Sequence, residues 1–96
     1  VTVRFLPVAQ AELDDAIRLY DAISPELGEA FFIEAERVFR QIEQYPLAWH
    51  SMAPNIRRCR LTRFPYGVIY SPDDKDQLVI AFAHLHRAPL YWKNRL

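Results

Sequence analysis

The sequence predicts an α+β fold in which a helical hairpin packs on one face of a small, mainly antiparallel sheet. Two observations carry this. Apolar residues recur at helical spacing through the first half of the chain and at strand spacing through the second. The segments are also segregated rather than alternating: one short strand, two helices, then three strands, in the order β-α-α-β-β-β. At 96 residues the chain is read as one domain spanning residues 1–96.

Each element has its own signal. Thr2–Leu6 alternates in character and reads as a short strand, which Pro7 ends. From Val8 to Ile23, Ala9, Leu13, Ile17 and Tyr20 mark one helix face, with Asp14 and Arg18 spaced to pair on the outside. Ser24-Pro25 supplies a side-chain cap followed by proline at the first helical position. Leu27, Phe31, Ala35, Val38, Ile42 and Tyr45 then form the stripe of a second helix, which Pro46 stops. Helices joined this tightly must run antiparallel. Pro46–Asn55 reads as a loop. Strands follow at Ile56–Arg63, Tyr66–Ser71 and Gln77–Leu85, separated by Phe64-Pro65 and by Pro72–Asp76. Turns that short give an antiparallel meander. The tail Pro89–Leu96 reads as a further helical turn.

Composition narrows the function classes. A hydrophobic fraction of 51% is enough to build a core without disulfides. One cysteine, Cys59, has no partner for a bridge, which fits a reducing compartment such as the cytoplasm. No run of transmembrane length and no signal-like segment is present, so no membrane association is expected. The net charge of zero hides an asymmetry: residues 1–48 hold four Arg against nine Asp/Glu, and residues 49–96 hold eight Lys/Arg against three Asp. All three histidines also lie in the second half. Such a split predicts that one surface meets an anionic partner.

Strand alternation sends Cys59 and Leu61 toward the helices and Arg58 and Arg60 to the open face. There their guanidinium forks suit phosphate oxygens or the carboxylates of an acidic protein. On the last strand, Val79, Ala81, Ala83 and Leu85 are expected on one face, and Ile80, Phe82, His84 and His86 on the other. RNA cleavage through the 2′-hydroxyl needs an acid, a base and positive charge. His84, His86, Arg87 and Tyr91, with the strand arginines, could supply them, Tyr91 if nearby cations made its proton labile. The bland alternative for a strand histidine is a hydrogen-bonded structural role. Trp92 is expected to be a binding anchor. No metal is expected, since His84-x-His86 lacks a third ligand at suitable spacing. With only Gly28 and Gly67 there is no phosphate-cradling loop, and no cofactor is expected.

Several stretches in this order resemble the RelE/ParE toxins of type II toxin–antitoxin systems. They are Leu13 and Tyr20, Leu27-Gly28-Glu29 with Phe31-Phe32, Tyr45-Pro46, Arg63-Phe64-Pro65-Tyr66, Ile69-Tyr70, and the closing His84…Arg87-Ala88-Pro89-Leu90-Tyr91-Trp92. The resemblance implies a toxin that forms a hetero-oligomer with a cognate antitoxin, held along an exposed apolar groove. It implies one of two targets: DNA gyrase, as for ParE-like members, or ribosome-bound mRNA, as for RelE-like endoribonucleases. Tyr91 matches a tyrosine of the nuclease branch. The position of that branch's catalytic arginine falls near Leu85, which favours the gyrase reading. A member that only binds its antitoxin and regulates transcription is a third reading. Arg58, Arg60, Arg87 and Trp92 are the expected contacts to target or antitoxin.

Overall fold

The strand that opens the chain and the strand that closes the meander are neighbours, and this sets the topology. In the computed structural model, which describes residues 2–96, the elements are β1 (Thr2–Phe5), α1 (Pro7–Ile23), α2 (Pro25–Gln44), β2 (His50–Ala53), β3 (Ile56–Arg60), β4 (Tyr66–Ser71) and β5 (Asp76–His84). They form a five-stranded sheet in the order β1-β5-β4-β3-β2. β1 runs parallel to β5, with Phe5 opposite Val79, and the remaining pairs are antiparallel. The helices carry the chain from one edge of this sheet to the other.

The expected loop at Pro46–Asn55 therefore contains a strand. Ala53 faces Ile56 across Pro54-Asn55, and Asn55 adopts φ 56°. Proline presets the first central position of a two-residue turn, and asparagine tolerates the left-handed second one. The Asn55 side-chain amide then donates to Ser71 Oγ at 3.1 Å.

The helices form as the caps predict. Ser24 Oγ accepts from Leu27 N at 3.1 Å, with Pro25 in the first turn of α2. Gly28 is where the two helices meet most closely: a Cβ there would lie 3.0 Å from Asp21 Cα and closer still to its carboxylate. The expected Asp14–Arg18 pair is not made. Arg18 bonds Asp15, and Asp14 accepts from Gln10 at 3.1 Å.

Two apolar clusters lie on opposite faces of the sheet. On the helix side, Phe31 stacks on Tyr20 at 4.7 Å and meets Phe64 and Phe82 edge-on at 4.9 and 5.8 Å. Cys59 and Leu61 join this core, as alternation requires. Ile69, Ile80, Ala81, Ala83 and Trp92 form the other cluster. The expected alternation of β5 fails midway. Opposite Ile69–Tyr70 the register slips by one residue, so Val79 and Phe82 share the helix face while Ile80 and Ala81 both join the other cluster. A β-bulge re-aims side chains in this way. Among the described residues, no helix is long and apolar enough to cross a membrane.

Candidate functional site

The second sheet face is not open. After β5 the chain turns back through i→i+3 backbone bonds at Tyr91, Lys93 and Arg95 and lies across that face. Trp92, expected to be an exposed anchor, is 4% exposed and buried on Ile69, Ile80, Ala81 and Ala83. Leu90 carries the strap over in the left-handed region, at φ 60°. Between strap and sheet is a shallow concavity that includes Met52, Arg58, Leu85, Arg87 and Tyr91. Arg58 enters it by lying across Gly67. A Cβ on Gly67 would stand 3.0 Å from Arg58 Cδ and 3.1 Å from its Cγ, so glycine there gives the arginine stem room to run flat on the sheet.

One carboxylate holds the strap. Glu12 accepts from Phe82 N at 3.0 Å, from Tyr91 Oη at 2.8 Å, and from both terminal nitrogens of Arg95 at 2.8 and 2.9 Å. Arg95 also donates to Ile80 O at 3.0 Å. Burial alone would push the Glu12 carboxyl up, but the bonds from Arg95, Tyr91 and Phe82 hold it below its ordinary value. The Glu12 bond in turn raises the affinity of Arg95 for its proton. Burial and then the Glu12 bond push the Tyr91 hydroxyl up to about 12. The guanidinium groups of Arg87 and Arg95 lie 4.0 and 4.9 Å from the centroid of the Tyr91 ring. Those cations do not make its proton labile, because burial and the neighbouring carboxylate outweigh them.

His84 also lines this concavity, with Arg58, Arg87 and Tyr91. The His84 ring packs edge-on against Tyr66, a helix-side core residue, at 5.1 Å, and against His86 at the same distance. His84 Nδ1 accepts from His86 N at 3.1 Å. No third ligand completes a metal set among the described residues. Burial lifts the Cys59 thiol to about 11, which removes it as a nucleophile.

Arg60 is exposed at the far end of β3 and, with Arg58, borders a second cleft at the sheet edge. Arg57, on the helix side, donates to Trp49 O at 2.8 Å. Sequence reasoning pointed to Arg58, His84, Arg87 and Tyr91, which share one concavity, but missed the residues that organise it, Glu12 and Arg95. Glu12 had a signal: it sits between Ala9 and Ala16 on the buried face of α1, where an unpaired acid is costly. Arg95 had none, lying in an irregular tail.

The comparisons with known proteins agree with this architecture. Among solved structures, the chromosomal ParDE toxin–antitoxin system from P. aeruginosa matches at 15% identity, covering 90% of this chain and 97% of that one with a TM-score of 0.63. At that identity the likeness concerns the fold. No match is found among curated proteins. The family model described as the ParE toxin of type II toxin–antitoxin systems matches residues 3–91. That match spans nearly the whole chain, from β1 to the tyrosine clasped by Glu12, and the chain belongs to the ParE toxin family of type II toxin–antitoxin systems.

Proposed function

We propose that this toxin arrests DNA gyrase and is neutralised by a cognate antitoxin that covers its helical hairpin. The observation that carries the choice of target is the state of Tyr91. Its hydroxyl already donates to Glu12 at 2.8 Å and its pKa is pushed up to about 12, so it neither gives nor takes a proton readily near neutrality. A general acid or base works best with a pKa near the working pH and with its proton free to move. His84, the other candidate, lines the same concavity, with its ring edge-on against Tyr66. The candidate residues of an endoribonuclease share one concavity, and the reading against proton transfer there rests on the engaged Tyr91 hydroxyl.

The antitoxin reading is supported by Leu19 and Ile23 on α1 and Phe32 and Ile33 on α2, all 47–64% exposed. Large apolar side chains exposed this close together suit the apolar face of a partner helix. Purified toxin should therefore inhibit gyrase supercoiling, and its toxicity should vanish on co-expression with the neighbouring antitoxin gene. His84→Gln and Tyr91→Phe, made singly, should leave toxicity largely intact, with DNA damage rather than mRNA loss in the cells. Loss of toxicity in both, together with ribosome-dependent mRNA cuts by the parent, would reverse the choice of target.

A further inference from the structure

The edge of the sheet at β3 carries a cationic cluster that includes Arg58 and Arg60, the residues expected from the sequence to contact a target or antitoxin. β2 pairs with β3 only as far as His50 opposite Arg58. Beyond that point, backbone alternation decides where the next groups aim. Leu61 N donates to Tyr66 O at 2.9 Å. Cys59 and Leu61 therefore bond inward to β4, and the N–H and C=O of Arg60 point outward, where no strand lies among the described residues. Two residues further on the edge is closed again, because the Glu34 carboxylate accepts from Thr62 N and, at 2.8 Å, from Arg63 N. The gap is too short to take up a strand.

What surrounds the gap is cationic. Arg37, Arg58 and Arg60, with His50, border a cleft of about 380 Å³, and no Asp or Glu lines it. Arg58 Nε is buried without a hydrogen-bond partner. Arg37 donates to Thr62 Oγ1 at 3.1 Å and is ion-paired with Glu34 at 3.8 Å, whereas Arg58 and Arg60 have no ion-pair partner among the described residues. Like charges gathered in one cleft raise its potential and favour an anion there.

We infer that this cleft binds the phosphate group of a nucleotide or of a nucleic-acid strand. A phosphate presents more acceptor oxygens than a carboxylate, so it can engage several guanidinium forks and the free Arg60 N–H together. A carboxylate has two oxygens and would leave donors unmatched. Trp49 borders the same cleft and gives an attached base an aromatic wall. The site does not depend on which target the toxin attacks.

The test uses the two tryptophans as reporters. In the ¹⁵N-labelled 96-residue chain the Trp49 and Trp92 indole N–H signals are told apart with Trp49→Phe. Pyrophosphate, a thymidine tetranucleotide and a tetraglutamate peptide are then titrated in turn. The expected result is a saturable shift of the Trp49 signal with both phosphate compounds and none at Trp92. Arg37→Gln and Arg60→Gln should each weaken binding about tenfold or more while the spectrum stays dispersed. Lys75→Gln, in the β4–β5 turn, should not. Tighter binding of the tetranucleotide than of pyrophosphate would identify a strand as the source, and equal binding a free phosphate ester; either agrees with the site. The proposal falls if neither phosphate compound gives a saturable shift, if both substitutions leave the shift unchanged, or if tetraglutamate binds as well.

Discussion

The two edges of the sheet are treated in opposite ways. β1 leaves β5 at Phe5, so Ile80, Phe82 and His84 are an edge without a strand beside it. That edge is sealed group by group: Arg95 takes Ile80 O, Glu12 takes Phe82 N, and Arg87 N takes His84 O at 3.0 Å. At the other edge, β2 stops beside Arg58 and leaves Arg60 bare among cations. Unpaired edges invite association, and proteins usually block them. The charged groups at β5 are used up on their own backbone. At β3, Arg60 is left to face solvent. The charge asymmetry seen in the sequence is therefore two different things in space, a clasp at one edge and an arginine-lined cleft at the other.

Removing the clasp should have the largest effect on stability. Glu12→Ala strands the Arg95 guanidinium and Phe82 N, and should cost about 3 kcal/mol in urea unfolding. A loss under about 1 kcal/mol would mean that the strap contributes little. The sign with pH follows from the lowered Glu12 pKa. Its contribution is complete above the unfolded carboxyl value of 4.5 and disappears as pH falls through the lower folded value. Glu12→Gln should flatten that part of the acid unfolding profile.

Gly28→Ala comes next and tests the helical hairpin rather than either edge. The added methyl meets Asp21, backbone included, and overpacking of this kind costs about 1–3 kcal/mol. Thermal unfolding unchanged by the substitution would show that the helices can part there freely. The smallest effect belongs to the open edge. Arg60→Gln should move stability by no more than about 0.5 kcal/mol, since nothing in the fold leans on it. A loss as large as that of Glu12→Ala would erase the contrast between the edges.

The first strand, both helices and the ends of the second helix were legible because each rests on local chemistry: Ser24-Pro25, Pro46, and the period of the apolar residues. β2 was missed because its four residues carry little alternation, although Pro54-Asn55 was a readable turn. The faces of β5 were misassigned beyond Val79 because a bulge depends on the partner strand, and nothing in the alternating run announces it. The strap was the largest omission. Sequence alternation placed Arg58 on the second face correctly, but the covering of that face depends on Arg95 finding Glu12, which no local pattern encodes. Trp92 looked like a partner's anchor for the same reason. Its partner is the chain's own sheet.

The clasp also orders events in time. Glu12 and Arg95 stand 83 positions apart in the chain. Closing so long a loop early costs conformational entropy with few contacts to offset it, so distant pairs form after nearer ones have shortened the path. Here the path shortens only when α1 and β5 have already docked. Until then Ile69, Ile80, Ala81 and Ala83 lie bare beside an unsealed strand edge, and a second copy at the same stage offers the matching surface. The step that finishes this molecule is therefore also the one whose delay makes it adhesive, and the concentration of newly made chain sets how often that happens.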